Sequence, residues 1–423
     1  MHSHSRQTDD VRMTPFIVTV FVLVYLGMLL GGLPFLQLDR TGVVLLGVIA
    51  LTATEALPLE QVWQAIHLPT LALLFAFMVI SAQLRLGGFY GWAVGRLGEL
   101  DLSPPMLLGA LIAIAAGLAA VFSNDIICLA MAPVLIEVCF ARQLDPLPYL
   151  LALACAANIG SAATLIGNPQ NMLLGEMLRL SFADYLLMAS IPVGLGLLVT
   201  WGIIAALTRG RWQRSDSSPK PLEQTRTDEN WPQLDRWQTA KGLTVATALF
   251  AGFLFVHWPR ALMALAGAAL LLTSRRLHSY RMLGLIDWQL LVLFIGLFIV
   301  NHALQQTGLP TQAVAALGAS GFDLHAPAPL FVTSFLLSNL VSNVPAVMLL
   351  LPVATDPLSG PLLALSSTLA GNLLIVGSIA NIIVVQAAER RGIRIDWRDH
   401  ARIGVPVTLA TQAIAAISLW FGR

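Results

Sequence analysis

Charge is scarce in this sequence: Asp, Glu, Lys and Arg make up 11% of its 423 residues. A soluble domain carries roughly 25%. With 57% hydrophobic residues, no soluble fold has interior enough to hide the excess, so the bilayer is the solvent for most of the chain. Net charge is only +1, which excludes a footprint for nucleic acid. Cysteine is scarce too. Cys128, Cys139 and Cys155 all lie in apolar runs, without a CxxC or Cys/His cluster, so they read as small apolar filler. Neither a zinc site nor a disulfide framework is expected. No GxxxxGK[ST] motif occurs, so the chain has no ATP-binding loop of its own, and a separate cytoplasmic ATPase partner is left open.

What the chain does have is long apolar runs. A spanning helix needs about 20 apolar residues. Candidate spans fall at 15–36, 42–57, 69–86, 149–175 and 186–208, then at 242–257, 260–274, 288–306, 362–388 and 402–421. The first lacks a small-x-small cleavage site and reads as a retained span rather than a signal peptide. Between the two sets lies 209–241, rich in Asp, Glu, Ser and Pro, which reads as an aqueous linker.

Two segments do not fit as simple spans. Residues 104–140 hold two apolar arms around Ser123-Asn124-Asp125, and residues 327–356 hold two around Ser342-Asn343-Val344. The second pair of arms has about 14 residues each, or about 21 Å of helix, short of a core of about 30 Å. Short arms with a polar tip predict re-entrant hairpins whose tips are buried in protein or line a cavity; the first pair is longer, and two full spans are the alternative there.

The sequence repeats. Val121-Phe122-Ser123-Asn124 lies 219 positions before Leu340-Val341-Ser342-Asn343, Gly88 lies 220 before Gly308, and Gly167 and Asn171 lie 210 before Gly377 and Asn381. Each half holds five spans plus one hairpin. Five is odd, so the second half enters the membrane upside down. The predicted fold is an all-α polytopic membrane protein of about ten transmembrane helices plus two re-entrant hairpins, in an inverted-topology repeat. The expected units are 1–208, the cytoplasmic linker 209–241, and 242–423.

Basic residues orient it. With the amino terminus outside, nineteen Lys and Arg fall on the cytoplasmic side, among them Arg40, Arg85 and seven in 209–241. Five remain outside: Arg6, Arg12, Arg179, Arg260 and Arg423. That bias puts both termini outside, in the bacterial inner membrane.

Four polar clusters interrupt the apolar sequence. They are Ser123-Asn124-Asp125, the stretch Thr164 to Asn171 with Gly167-Asn168-Pro169, the tip Ser342-Asn343, and the stretch Gly371-Asn372 to Gly377-Ser378 and Asn381. Pro169 removes a donor and clashes with the preceding turn, so the second cluster predicts a broken helix. The fourth lacks proline, and a milder break is expected there. Hairpin tips and broken helices expose helix N-termini, which suit an anion, and free carbonyls, which suit sodium. Asp125 is the one carboxylate placed deep in the bilayer, where it costs about 2.5–3.5 kcal/mol, and it is the first candidate for sodium or proton coupling. A sodium ion is expected at Ser123, Asn124, Asp125, Asn168 and Ser378. Asn301 and His302 read as packing groups. No Lys or Arg is evident at depth, so an anion would be held by helix ends, amides, hydroxyls and a co-bound cation; a neutral or cationic substrate is the alternative.

At these residues the sequence resembles the ion transporter superfamily, which includes the arsenite pump and Na+/H+ antiporter families and the divalent anion:sodium symporters. Phe122-Ser123-Asn124-Asp125 with Ala132-Pro133, and Ser342-Asn343-Val344-Pro345, look like the two arsenite-pump hairpins. Gly167-Asn168-Pro169-Gln170-Asn171 and Gly377-Ser378-Ile379-Ala380-Asn381 look like paired motifs of bacterial permeases related to those symporters. The resemblance covers about 15–421. The symporters usually carry Ser-Asn-Thr at both tips; here the third positions are Asp125 and Val344, a departure from a two-sodium dicarboxylate site. The resemblance implies a homodimer in which a mobile domain slides against a scaffold.

The expected function is a secondary transporter of a small anion, an arsenite-type oxyanion or a carboxylate, coupled to protons or sodium. A Na+/H+ antiporter using Asp125 is the rival. A channel leaves no role for two broken helices. An enzyme would need Ser378 and His302 to meet from separate spans with no fuller motif, so the chain reads as non-enzymatic.

Overall fold

The computed structural model describes residues 2–33, 37–213 and 233–421. Most of the predicted linker 209–241 therefore lies outside the described residues, as does position 423.

Helices in the first half are α1 (His2–Leu30), α2 (Arg40–Ala53), α3 (Leu59–Ala65), α4 (Leu68–Leu86), α5 (Phe89–Glu99), α6 (Pro104–Val121), α7 (Asn124–Ala141), α8 (Pro146–Ser161), α9 (Pro169–Met177) and α10 (Phe182–Leu207). The second half has α11 (Arg236–Phe255), α12 (Arg260–Leu272), α13 (Ser279–Leu283), α14 (Trp288–Gln306), α15 (Leu309–Ala319), α16 (Pro327–Val341), α17 (Asn343–Leu350), α18 (Ser359–Ala370), α19 (Ile379–Glu389) and α20 (Trp397–Phe421). Among the described residues the only sheet is a two-residue antiparallel pairing, β1 (Gly32–Leu33) with β2 (Leu38–Asp39). The fold is all-α. Among the described residues seven helices are long and apolar enough to cross a membrane, both arms of the first predicted hairpin, α6 and α7, among them, and six shorter apolar helices accompany them.

Local chemistry sets the boundaries. Asp39, Asp145, Ser181, Asp235 and Asp287 accept backbone N–H groups at the starts of α2, α8, α10, α11 and α14. Proline opens α6, α8, α9 and α16, where its missing N–H costs nothing. Gly88 and Gly308 start α5 and α15 in the left-handed region, with φ of 72° and 71°. A position that needs positive φ favours glycine, which is why both halves keep one there.

The repeat is visible in element order. α4 and α14, and α5 and α15, begin 220 residues apart; α9 and α19 begin 210 apart. α5 and α15 were not assigned by the hydropathy reading, because 11 residues each are too few to register as spans. The breaks also differ from expectation. The gap between α8 and α9 covers 162–168 and that between α18 and α19 covers 371–378. The second is not milder. Proline is not what holds these breaks open; side-chain amides tie their carbonyls, and both halves have those amides.

Packing divides the helices into two groups. α1, α2, α4, α11, α12 and α14 pack on one another, with α12 along α4 and its counterpart α2 along α14. The hairpins α6–α7 and α16–α17, the broken helices α8–α9 and α18–α19, and α10 and α20 form the second group. α6 lies along α8 and α16 along α18; α10 and α20 pair. The heaviest packings in each group recur in both halves.

Candidate functional site

The second group converges on the two hairpin tips and the two breaks. α6 ends at Val121 and α7 begins at Asn124; α16 ends at Val341 and α17 begins at Asn343. The Asn124 N–H donates to the Gly167 carbonyl at 3.3 Å, so the first tip rests on the first break. A Cβ at Gly371 would lie 3.3 Å from Asn343 Nδ2 and 3.2 Å from Ser378 Cβ, so the second tip rests on the second break. At Gly167 a Cβ would meet the backbone of Ser161 and, at 2.8 Å, the Ala119 carbonyl. Only glycine lets the first break come that close to the hairpin.

Asn158, on α8, joins the halves. Its Oδ1 accepts from Asn124 Nδ2 at 2.9 Å and from Ser378 Oγ at 3.0 Å. Its Nδ2 donates to Asn372 Oδ1 at 2.9 Å and Asn381 Oδ1 at 3.1 Å. Thr368 stands 210 positions later and does the reciprocal work. Its Oγ1 accepts from Asn168 Nδ2 at 3.2 Å and from Gln170 Nε2 at 3.1 Å, and donates to Asn171 Oδ1. The breaks themselves are tied alike. Asn171 Nδ2 donates to the carbonyls of Thr164, at 2.9 Å, and Ser161; Asn381 Nδ2 donates to those of Leu374, at 3.0 Å, and Gly371. Both amides lie 210 apart, and so do their acceptors. A pseudo-two-fold relation is thus written in hydrogen bonds.

Four helices aim their N-termini at this cluster: α7 at Asn124, α9 at Asn168, α17 at Asn343 and α19 at Ser378. Their free N–H groups and dipoles favour negative charge without a basic side chain. Among the described residues, the buried Oδ1 atoms of Asn124, Asn339 and Asn343 have no hydrogen-bond partner, nor does Asn372 Nδ2. Amide and carboxylate oxygens suit a hard cation. No group of three His, Cys, Asp or Glu occurs among the described residues that could hold a transition metal.

The acid is placed to one side. Asp125 is half-buried in the first turn of α7, which packs along α19. With Ser123 it lines a cavity of about 110 Å³ whose other walls include Ser81 and Arg85 of α4, Asp287 before α14, and Pro169 of α9. α4 and α7 supply most of its wall, closed by Leu290 of α14 and Ile379 and Ile383 of α19.

The structure brings Asn124, Gly167, Gly371, Asn372, Gly377, Ser378, Asn381 and Asn343 together, with Asp125 and Ser123 at the cavity wall. Thr164 Oγ1 turns to the Ala120 carbonyl and steadies the first hairpin. Ser342 occupies the second tip with φ +78°. Asn168 faces away from the other expected sodium ligands: its Oδ1 caps α9 through the Asn171 N–H, and its Nδ2 serves Ser161 and Thr368. Asn301 holds Tyr25 of α1 at 3.0 Å and His302 pairs with Gln306, both within packing contacts. Sequence reasoning missed Asn158, Thr368 and Asn339. The 210-residue offset, applied to every polar residue of α8, pairs Asn158 with Thr368 and was the signal that could have found them.

Comparison with known proteins agrees with this architecture. The chain is 27% identical over 432 residues to the 46 kDa membrane protein of Mycobacterium leprae, covering 96% of this chain and 98% of the relative. It is 28% identical to the silicon efflux transporter LSI3 of Oryza sativa subsp. japonica, covering 90% and 93% of the two chains. Among solved structures, the YdaH transporter of Alcanivorax borkumensis shares the fold, with a TM-score of 0.56 at 14% identity over 97% of this chain and 98% of that one. The family profile described as citrate transporter matches residues 19–361. More than half the chain lies inside that match, and the protein is a multi-pass membrane transporter belonging to the citrate transporter family.

Proposed function

We propose that the protein carries a small anion, a carboxylate of the citrate type or an oxyanion, by moving the hairpin group against the scaffold of α1, α2, α4, α11, α12 and α14, with sodium or protons as the coupling ion. The observation that carries this reading is a loss of symmetry between the groups. Within each group the heaviest packings recur in both halves, α4–α12 with α2–α14 and α6–α8 with α16–α18, although α6 packs on α10 without a counterpart from α16 to α20. Between the groups, α9 packs on α4, while α19 and α14 make no comparable packing and Leu290 of α14 and Ile383 of α19 face a shared cavity. An inverted repeat reaches its other state when the halves exchange roles, so α19 would then pack on α14 and α9 would leave α4.

The anion is held by the four helix N-termini and the tip amides, and the cation by the orphan oxygens near Asp125. A cation next to the anion offsets its charge, which substitutes for a buried basic residue. The cavity mouth at Arg85 and Asp287 is on the side where the basic bias puts the cytoplasm, so this conformation faces inward. The protein is proposed to act as a homodimer with both termini outside.

Proteoliposome uptake across a panel containing citrate, other carboxylates, arsenite and silicic acid, with sodium and proton gradients imposed separately, tests the reading. Gradient-dependent uptake of one anion is the expected outcome; silicic acid uptake alone would move the substrate to that of the rice relative. Sodium–proton exchange that needs no anion would replace it with an antiporter centred on Asp125. For orientation, a cysteine introduced at position 218 is expected to react only from the cytoplasmic side. Labelling from outside intact cells would reverse the topology.

A further inference from the structure

Away from the site, one ion pair bridges the two groups. Arg260 is the first residue of α12 in the scaffold, and Glu176 lies in the last turn of α9 in the hairpin group. Arg260 Nε is 3.0 Å from Glu176 Oε1, with the two side chains only 15% and 12% exposed. Arg260 Nη2 also donates to the Gly175 carbonyl at 2.6 Å. The pair therefore fastens α9 to the scaffold at the outer end, by the orientation of the basic residues. Any sliding of the hairpin group must break both bonds.

The repeat identifies its counterpart. Arg40 opens α2 as Arg260 opens α12, 220 residues apart, and residue 386 stands 210 after Glu176 at the same place on α19. That residue is Gln386, and it is exposed. Among the described residues Arg40 makes no ion pair. One half has Arg with Glu; the other has Arg with Gln.

We propose that Glu176–Arg260 is a one-sided latch that biases the transporter toward the present inward-facing state. The proposal rests on the sliding-group reading above. In the outward-facing state α19 moves to the scaffold and Gln386 meets Arg40. A neutral amide gives Arg40 a weaker partner than a carboxylate does. The two states therefore close with unequal strength, and the difference is set by a single carboxylate at residue 176 against an amide at residue 386. Removing one partner of a buried pair leaves the other charge uncompensated, so Glu176→Gln weakens this state strongly.

Double electron–electron resonance tests it on the full-length protein in liposomes. Spin labels go on Trp63→Cys in α3, beside the scaffold, and on Asp184→Cys in α10 of the hairpin group; both positions are exposed. Two distance populations are expected, with the inward one dominant. Glu176→Gln should lower the inward-to-outward ratio by about tenfold or more. Gln386→Glu, which adds a charge at an exposed position without opening the buried pair, should raise the outward population by about threefold or more. The double variant should reverse the bias. Should Glu176→Gln not fold, Gln386→Glu alone decides. Two populations whose ratio neither variant moves by more than about twofold overturn the latch and leave the sliding reading intact. A single population that no variant splits, in protein that transports, overturns both.

Discussion

The two hairpin tips occupy equivalent places and are built differently. The first is Ser123-Asn124-Asp125 with ordinary backbone, Ser123 at φ −53°. The second is Ser342-Asn343-Val344, with Ser342 at φ +78° in a region that a side chain rarely adopts. The first carries the charge; the second carries the strain and a polar arm. Asn339, Ser338 and Ser334 of α16 stand where α6 has Ala120, Ala119 and Ala115, and each has a buried polar atom without a hydrogen-bond partner among the described residues. A repeat imposes geometry on both halves, but it leaves each free to specialise its chemistry.

The sharpest way to break the comparison is to remove the charge. Asp125→Asn keeps the shape and most hydrogen bonding, so a folded dimer is expected with gradient-driven transport reduced by about 100-fold or more, while exchange at zero gradient partly survives. Val344→Thr, at the equivalent place, should change uptake by less than about threefold. Uptake by Asp125→Asn at the wild-type rate would remove Asp125 from coupling and pass the role to the backbone around Asn168 and Ser378.

A second contrast lies in the reciprocal pair. Asn158→Ala removes four side-chain contacts and leaves buried partners unpaired, a loss of about 3 kcal/mol or more in thermal or denaturant unfolding in detergent. Thr368→Val keeps the volume and should cost about 1–2 kcal/mol. Equal losses would mean that the two halves share the load evenly.

Glycine substitutions give a smaller difference. A Cβ at Gly167 meets backbone, which cannot move aside, so Gly167→Ala should cost about 2–3 kcal/mol. At Gly371 the nearest atoms, Ser378 Cβ at 3.2 Å and Asn343 Nδ2 and the Thr368 carbonyl at 3.3 Å, are all farther than those at Gly167, and Gly371→Ala should cost about 1 kcal/mol. The smallest effect is expected at Ser342. Ser342→Gly should raise stability by about 1 kcal/mol through relief of the positive φ, while Ser123→Gly should not. A stabilised Ser123→Gly protein would contradict this account of the tips.

Much of this was legible in the chain itself. Scarce charge and long apolar runs required a membrane, and the spacing of Gly88 and Gly308, and of Asn171 and Asn381, required a repeat, because identical local geometry needs the same residue at the same place. The polar tips and breaks announced themselves against an apolar background, where an amide is costly unless it is used. Asp125 stood out for the same reason.

Tertiary structure decided the rest. A hydrogen bond between Asn158 and Asn381 joins residues 223 positions apart, and no local pattern specifies it. That Asn168 divides its amide between its own break and Thr368 of the other half, whereas Asn339 leaves an oxygen free, depends on which way each helix is rotated in the bundle. The second break is as long as the first, and Asn381 ties its carbonyls across seven and ten residues, a rotation of the side chain back onto its own break that composition does not specify. Which half is packed against the scaffold is also invisible in sequence. The repeat gives each half the same helices, and in this structure it is α9 that packs on α4 and pairs its Glu176 with Arg260.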